Sequence, residues 1–125
     1  MRLLLDSHAL YWAVTEDKRL SKKAADLILN EENEVFYSPF GFYEIMFKAS
    51  RGRLPESALN LPAAVETAFY RELPLTPRHF IRAALLDWTH GDPWDRILYA
   101  QAMLEDMHIV SADRVFDEVT DRRVW

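Results

Sequence analysis

Short apolar runs of strand length alternate along this chain with stretches that carry helix-start signals, and that alternation restricts the fold more than any other feature. Leu3-Leu4-Leu5 is followed by Asp6-Ser7-His8 and a helix-like stretch through Trp12 and Ala13. Ser21 is a good N-cap for a helix to about Glu31, with Ala24, Ala25, Ile28 and Leu29 on one side. Val35-Phe36-Tyr37 is a second short strand, and Ser38-Pro39 then supplies an N-cap and a first-turn proline for a helix to about Ser50, stopped by Gly52. Pro62 opens a helix over 62–71, an extended segment follows at 72–75, and Pro77 starts another helix through Asp87. Asp92-Pro93 starts a longer helix from Trp94 to about Asp106, residues 107–111 are a strand, and 123–125 are a last strand at the sheet edge.

This order predicts an α/β fold, a three-layer α/β/α sandwich around a central parallel sheet. No linker or internal repeat interrupts it, so residues 1–125 are expected to form one domain. In such sheets the working site lies outside the carboxyl ends of the strands, near the switch in strand order. Asp6 and Asp113 both follow strands in that sense, so two acids are expected on one edge of the sheet.

Composition narrows the chemistry. A chain of 125 residues, 50% of them hydrophobic, is long enough to bury a real core. It has no cysteine, which excludes disulfides, thiolate catalysis and zinc sites built on sulfur. The first apolar run is too short for a signal peptide and no segment approaches membrane-spanning length, so a cytoplasmic protein with no membrane contact is expected. The net charge of −5 argues against a generic nucleic-acid binder. It leaves room for an enzyme acting on nucleic acid, because acidic metal ligands count in the formal charge and bound cations do not.

Four carboxylates stand where this pattern leaves a strand or enters a helix. Asp6 is either a functional acid or the N-cap of the helix that begins near His8. Glu44 lies in the otherwise apolar or small stretch Phe40-Gly41-Phe42-Tyr43-Glu44-Ile45-Met46-Phe47, with Lys48 one helical turn on. A Glu–Lys pair contributes only a few tenths of a kcal/mol, about 0.2–0.5, too little to explain an acid among aromatics. Asp92 fits the N-cap of its helix and is accepted as such; Asp95, at the third position, is either a capping-box acid or points at a site above the sheet. Asp113 follows a strand and either caps the turn Arg114-Val115-Phe116 or joins the site, and Ser111 is placed to hydrogen-bond a neighbouring carboxylate or a metal-bound water. Brought together, Asp6, Glu44, Asp95 and Asp113 would raise one another's pKa unless cations held them ionised. Oxygen-only ligands favour Mg²⁺ or Mn²⁺ over zinc, and a pair of such ions about 4 Å apart suits in-line hydrolysis of a phosphodiester.

These residues resemble those of the PIN-domain ribonucleases, and within them the VapC-type toxins of bacterial toxin–antitoxin pairs. The blocks that carry the resemblance are Leu-Leu-Leu-Asp6-Ser-His-Ala-Leu-Tyr-Trp, Glu44-Ile-Met-Phe-Lys48 with Gly52-Arg53-Leu54, His90-Gly-Asp92-Pro-Trp-Asp95-Arg96 with Ala100-Gln-Ala102, and Val110-Ser111-Ala-Asp113. They occur in order along nearly the whole chain; Trp94 stands where phenylalanine is more usual. The resemblance implies a PIN-like fold with Asp6, Glu44, Asp95 and Asp113 as the catalytic acids that bind Mg²⁺ (or Mn²⁺), supported by Ser7 and Ser111. It also implies endonucleolytic hydrolysis of RNA by a metal-activated water, a homodimer, and neutralisation by a small antitoxin protein. Lys48 and Arg96 are candidates for orienting the substrate or for pairing with the acids, against a simple surface role. His8 and His90 read as packing or hydrogen-bonding residues rather than ligands.

Two rival readings share these features. A PIN-like module that binds RNA or protein without cutting would need no metal, although all four acids are present. An aspartate-nucleophile phosphatase also begins with a strand and an Asp, but it needs a second Asp two residues later, where this chain has His8.

Overall fold

The three leucines after Arg2 divide between two cores. The computed structural model describes residues 1–125, ordered as β1 (Arg2–Leu5), α1 (Ser7–Val14), α2 (Lys22–Leu29), β2 (Glu34–Tyr37), α3 (Pro39–Ser50), α4 (Leu61–Thr67), β3 (Arg71–Glu72), α5 (Pro77–Ala84), α6 (Pro93–Leu104), β4 (His108–Val110) and β5 (Arg123–Val124). Short 3₁₀ turns occupy Glu56–Asn60 and Arg114–Glu118. Leu3 and Leu5 pack with Val35, Val110, Leu10 and Ile45 on one face of the sheet, while Leu4 packs with Phe36, Ile109, Leu98 and Phe116 on the other. Alternation with a period of two puts successive side chains on opposite faces, and helices cover both. The expected three layers are therefore present.

All pairings are parallel, in the order β3-β2-β1-β4-β5. The chain builds outward from β1 to β3, then returns to lay β4 on the other side of β1. The order reverses between β1 and β4, which opens a crevice at their carboxyl ends. Register pairs Leu5 with Val110, and the Asp6 amide continues the ladder to the Val110 carbonyl at 3.1 Å. Asp6 and Ser111 thus leave the sheet side by side.

Local signals explain most helix ends. The Ser38 hydroxyl accepts from the Phe40 amide, and Pro39 occupies the first position of α3. At the other end Gly52 adopts φ +70°, its amide donates to Ala49 and that of Arg53 to Lys48, the left-handed C-cap that glycine favours. Other boundaries differ from the sequence expectation. The helix placed at 62–71 begins at Leu61 and ends at Thr67, because Phe69 takes a left-handed turn with φ 60° before β3. The preceding 3₁₀ turn carries no long apolar period. α5 stops at Ala84 rather than Asp87, since the carbonyls of Ala83, Leu86 and Trp88 turn to the guanidinium of Arg96. α2 ends at Leu29 and α6 at Leu104, each about two residues early, and β3 is confined to Arg71–Glu72. No helix is long and apolar enough to cross a membrane.

Candidate active site

The amino ends of three helices converge on the β1–β4 crevice. A cavity of about 230 Å³ there is lined by Asp6, Ser7 and His8 of α1, Ser38, Phe40 and Gly41 of α3, and Asp92, Trp94 and Asp95 of α6. Glu44, Lys48 and Asp113 complete its polar wall. Helix amino termini carry a partial positive charge, so each offsets some of the repulsion among the acids gathered in front of it. The four acids read from the sequence all face this one cavity.

Each acid is held by local bonds. Asp6 caps α1, accepting from the Ala9 amide at 2.7 Å, and its carboxylate also accepts from the Ser111 hydroxyl. Burial pushes Asp6 above the ordinary carboxylate value; those two donors oppose the shift and the charge of Asp95 adds to it. Glu44 is gripped on both oxygens: the Ser7 hydroxyl donates at 2.7 Å and the Lys48 ammonium at 2.7 Å. Lys48 also lies 3.4 Å from Nε2 of His8, which must accept because an ammonium only donates. Asp95, half-buried on the first turn of α6, pairs with Nε2 of His90 at 2.7 Å rather than reaching back to close a capping box. Burial raises Asp95 as well, opposed by His90 and reinforced by Asp92 and Asp113; the same contact with Asp95 raises His90. Asp113 caps the 3₁₀ turn through the Val115 amide at 2.9 Å, and its own amide donates to Ser111 at 3.0 Å. Capping and a place at the cavity are not alternatives here; Asp6 and Asp113 do both.

Arg96 is a correction. Its guanidinium donates to the carbonyls of Ala83, Leu86, Trp88 and His90, at 3.1, 3.0, 2.6 and 2.9 Å. A fork spent on four main-chain oxygens does not orient a substrate. It fixes the loop that delivers His90 and Asp92. Asp92 is the cavity residue that spacing hid, because its cap to the Trp94 amide accounts for it fully. With His90 and Asp95 it brings ligand-type atoms within 4.8 Å of one another. Phe40 and Trp94 form the apolar wall. The donor set suits Mg²⁺ or Mn²⁺, being carboxylate oxygens in a cavity where burial and mutual repulsion leave Asp6 and Asp95 short of counter-charge.

The sequence profile of the PIN domain matches residues 3–122 of the chain. This chain belongs to the PIN-domain family. The PIN domain is 31% identical over 114 residues to Ribonuclease VapC22 of Mycobacterium tuberculosis (strain ATCC 25618 / H37Rv), a match covering 90% of this chain and 87% of that one. Among solved structures it is similar to VapBC2 from Rickettsia felis bound to a DNA fragment from their promoter, with TM-score 0.69, 13% identity and coverage of 95% and 93% of the two chains. A toxin–antitoxin complex from Klebsiella pneumoniae superposes with TM-score 0.70 at 17% identity, covering 98% of this PIN domain and 96% of that chain. VapBC-1 from nontypeable Haemophilus influenzae gives 0.64 at 14% identity, with coverage of 98% and 96%.

Proposed function

We propose that this PIN domain is a metal-dependent endoribonuclease that acts as the toxin of a toxin–antitoxin pair. The observation that carries the reading is the charge balance of the cavity: Asp6, Glu44, Asp92, Asp95 and Asp113 line it, and its one ammonium, Lys48, is already bonded to Glu44. A phosphodiester approaching such a wall is repelled unless divalent cations come between them. The likeness to a VapC ribonuclease at 31% identity supports the choice of RNA, and the toxin–antitoxin neighbours support a small antitoxin as partner.

In this reading Asp6, Glu44, Asp95 and Asp113 hold Mg²⁺ or Mn²⁺. When bound, such an ion lowers the pKa of a water and offsets charge on the phosphoryl oxygens. The chain's own groups set the stage for it. Ser7 and Ser111 fix the rotamers of Glu44 and Asp6, His90 aims Asp95, and the Arg96 clamp holds the loop on which His90 stands. Lys48 pairs with Glu44 and lines the cavity, where an RNA phosphate can exchange for the carboxylate. Phe40 and Trp94 exclude water from one side. A homodimer is part of the proposal: Phe80, Ile81 and Leu85, 47%, 60% and 78% exposed on and just after α5, form an apolar face that does not line the cavity and suits packing against a second copy.

The test is cleavage of single-stranded RNA by purified protein with Mg²⁺, with Mn²⁺ and with EDTA, for the wild type and Asp6→Asn. Wild type should cut only with a divalent ion, and Asp6→Asn should lose at least 100-fold in rate while keeping the wild-type circular dichroism. Full activity in EDTA, or in Asp6→Asn, sinks the proposal. Growth arrest on expression, relieved by co-expressing a small antitoxin, checks the toxin role.

A further inference from the structure

Two helical rows of α3 lie side by side, and only one of them is used by the acids. Phe40, Glu44 and Lys48 stand one turn apart and line the cavity; Tyr43, Phe47 and Arg51 form the neighbouring row, facing out. From the cavity wall outward, ring centroids run Phe40 to Trp94 at 4.0 Å, Trp94 to Tyr43 at 5.5 Å and Tyr43 to Phe47 at 5.9 Å. The last two steps keep near-parallel planes, 24° and 16° apart. The guanidinium of Arg51 sits 5.0 Å from the Phe47 centroid and closes the outer end. Tyr43 is 58% exposed and Phe47 40%. A pair of aromatics at this spacing stabilises a helix by only about 0.2–0.5 kcal/mol. That is too little to account for two open rings continuous with a cavity wall. The other aromatic run reached from the cavity, His8–Trp12–Trp125, is tilted by 35° and 56°, so no two successive rings in it lie near-parallel.

We propose that Tyr43 and Phe47, continued into the cavity by Trp94 and Phe40, form a stacking track for unpaired bases of an RNA strand flanking the phosphodiester at the acids. The proposal rests on the nuclease reading for what lies at its inner end. The occupant follows from the chemistry of the row. Every base has a π face, so the near-parallel rings of Trp94, Tyr43 and Phe47 can bind a single strand without reading its sequence. The acidic cavity gives that strand no electrostatic hold, but Arg51 and Arg53, both exposed at the outer end, supply cations for its phosphates. Binding energy gathered there would bring the scissile bond up to the acids.

The test measures binding without cleavage. Full-length protein in EDTA is titrated into a labelled oligoadenylate, followed by fluorescence anisotropy, alongside an abasic strand of the same length. The Tyr43→Leu/Phe47→Leu pair keeps apolar area and every charge but removes two stacking planes, so it should bind oligoadenylate at least tenfold more weakly. Its salt dependence should be unchanged. The Tyr43→Phe/Phe47→Tyr pair should bind like wild type, and the abasic strand should bind weakly to all three. Equal binding by the Leu pair, or of the abasic strand, overturns the track. So does a fall in oligomeric mass on Tyr43→Asp, which would assign these rings to a second copy of the chain. Ring-dependent binding with no cleavage after Mn²⁺ is added would remove the nuclease reading and leave the track. Cleavage by the Leu pair with unchanged KM would do the reverse.

Discussion

A carboxylate taken out of water stays ionised only where donors or cations return the solvation it has lost. Asp6 has the Ala9 amide and the Ser111 hydroxyl, Asp95 has His90, and both still sit above the ordinary value of 3.8. The native metal-free protein therefore keeps protons that the unfolded chain has released between 3.8 and the raised values. Its stability falls as pH rises through that window. Asparagine caps a helix as well as aspartate. Asp6→Asn should accordingly raise the midpoint of metal-free thermal unfolding at pH 7, by about 1 kcal/mol or roughly 4 °C. Calorimetry in EDTA checks this; a lower midpoint would mean that the Asp6 charge stabilises the apo fold. Glu44 was legible from the sequence because an acid among aromatics has no cheap structural account, and its pair with Lys48 was legible as well. Asp92 was not, since one good explanation, the cap, concealed a second.

Between α5 and α6 the chain has no regular structure, and one side chain gives it shape. Arg96, on the first turn of α6, satisfies four carbonyls of residues 83–90. Truncation leaves partly buried acceptors without donors, so Arg96→Ala should cost about 3 kcal/mol in urea unfolding. Lysine, a point charge without the planar fork, should restore less than half of it. Because this loop sets the aim of His90, cleavage should fall in the same order; a loss under about 0.5 kcal/mol would refute the clamp. Helix starts were legible wherever a capping residue met a proline, as at Ser38-Pro39 and Asp92-Pro93. The stop at Gly52 was legible too. The early end of α5 was not, for it depends on a guanidinium 10 residues further on, from Leu86, that reaches main-chain oxygens no side-chain pattern reveals.

At the scale of the whole molecule, the acids come from the end of β1, the middle of α3, the first turn of α6 and the loop after β4. A cation held by all four would join both halves of the chain, and so would stabilise the entire fold rather than one loop. Mn²⁺ at 100 times its dissociation constant should add about 2.7 kcal/mol, a rise of roughly 10 °C in unfolding midpoint. The rise should shrink as pH falls, beginning above the ordinary carboxylate range because protons compete for Asp6 and Asp95. Scanning calorimetry with and without EDTA decides it; no shift at pH 7 would deny these groups a metal. The layered fold was legible from alternation, but strand order was not, because pairing depends on contacts distant in sequence. That order has a temporal side. A chain made from its amino end exposes Asp6 and Glu44 early, yet β1 waits for its second neighbour until His108–Val110 has been made. Until then Asp6 has no Ser111 beside it and the acids enclose no cavity. A growing chain thus carries its acids apart, and the site closes only once His108–Val110 and the loop beyond it have been made.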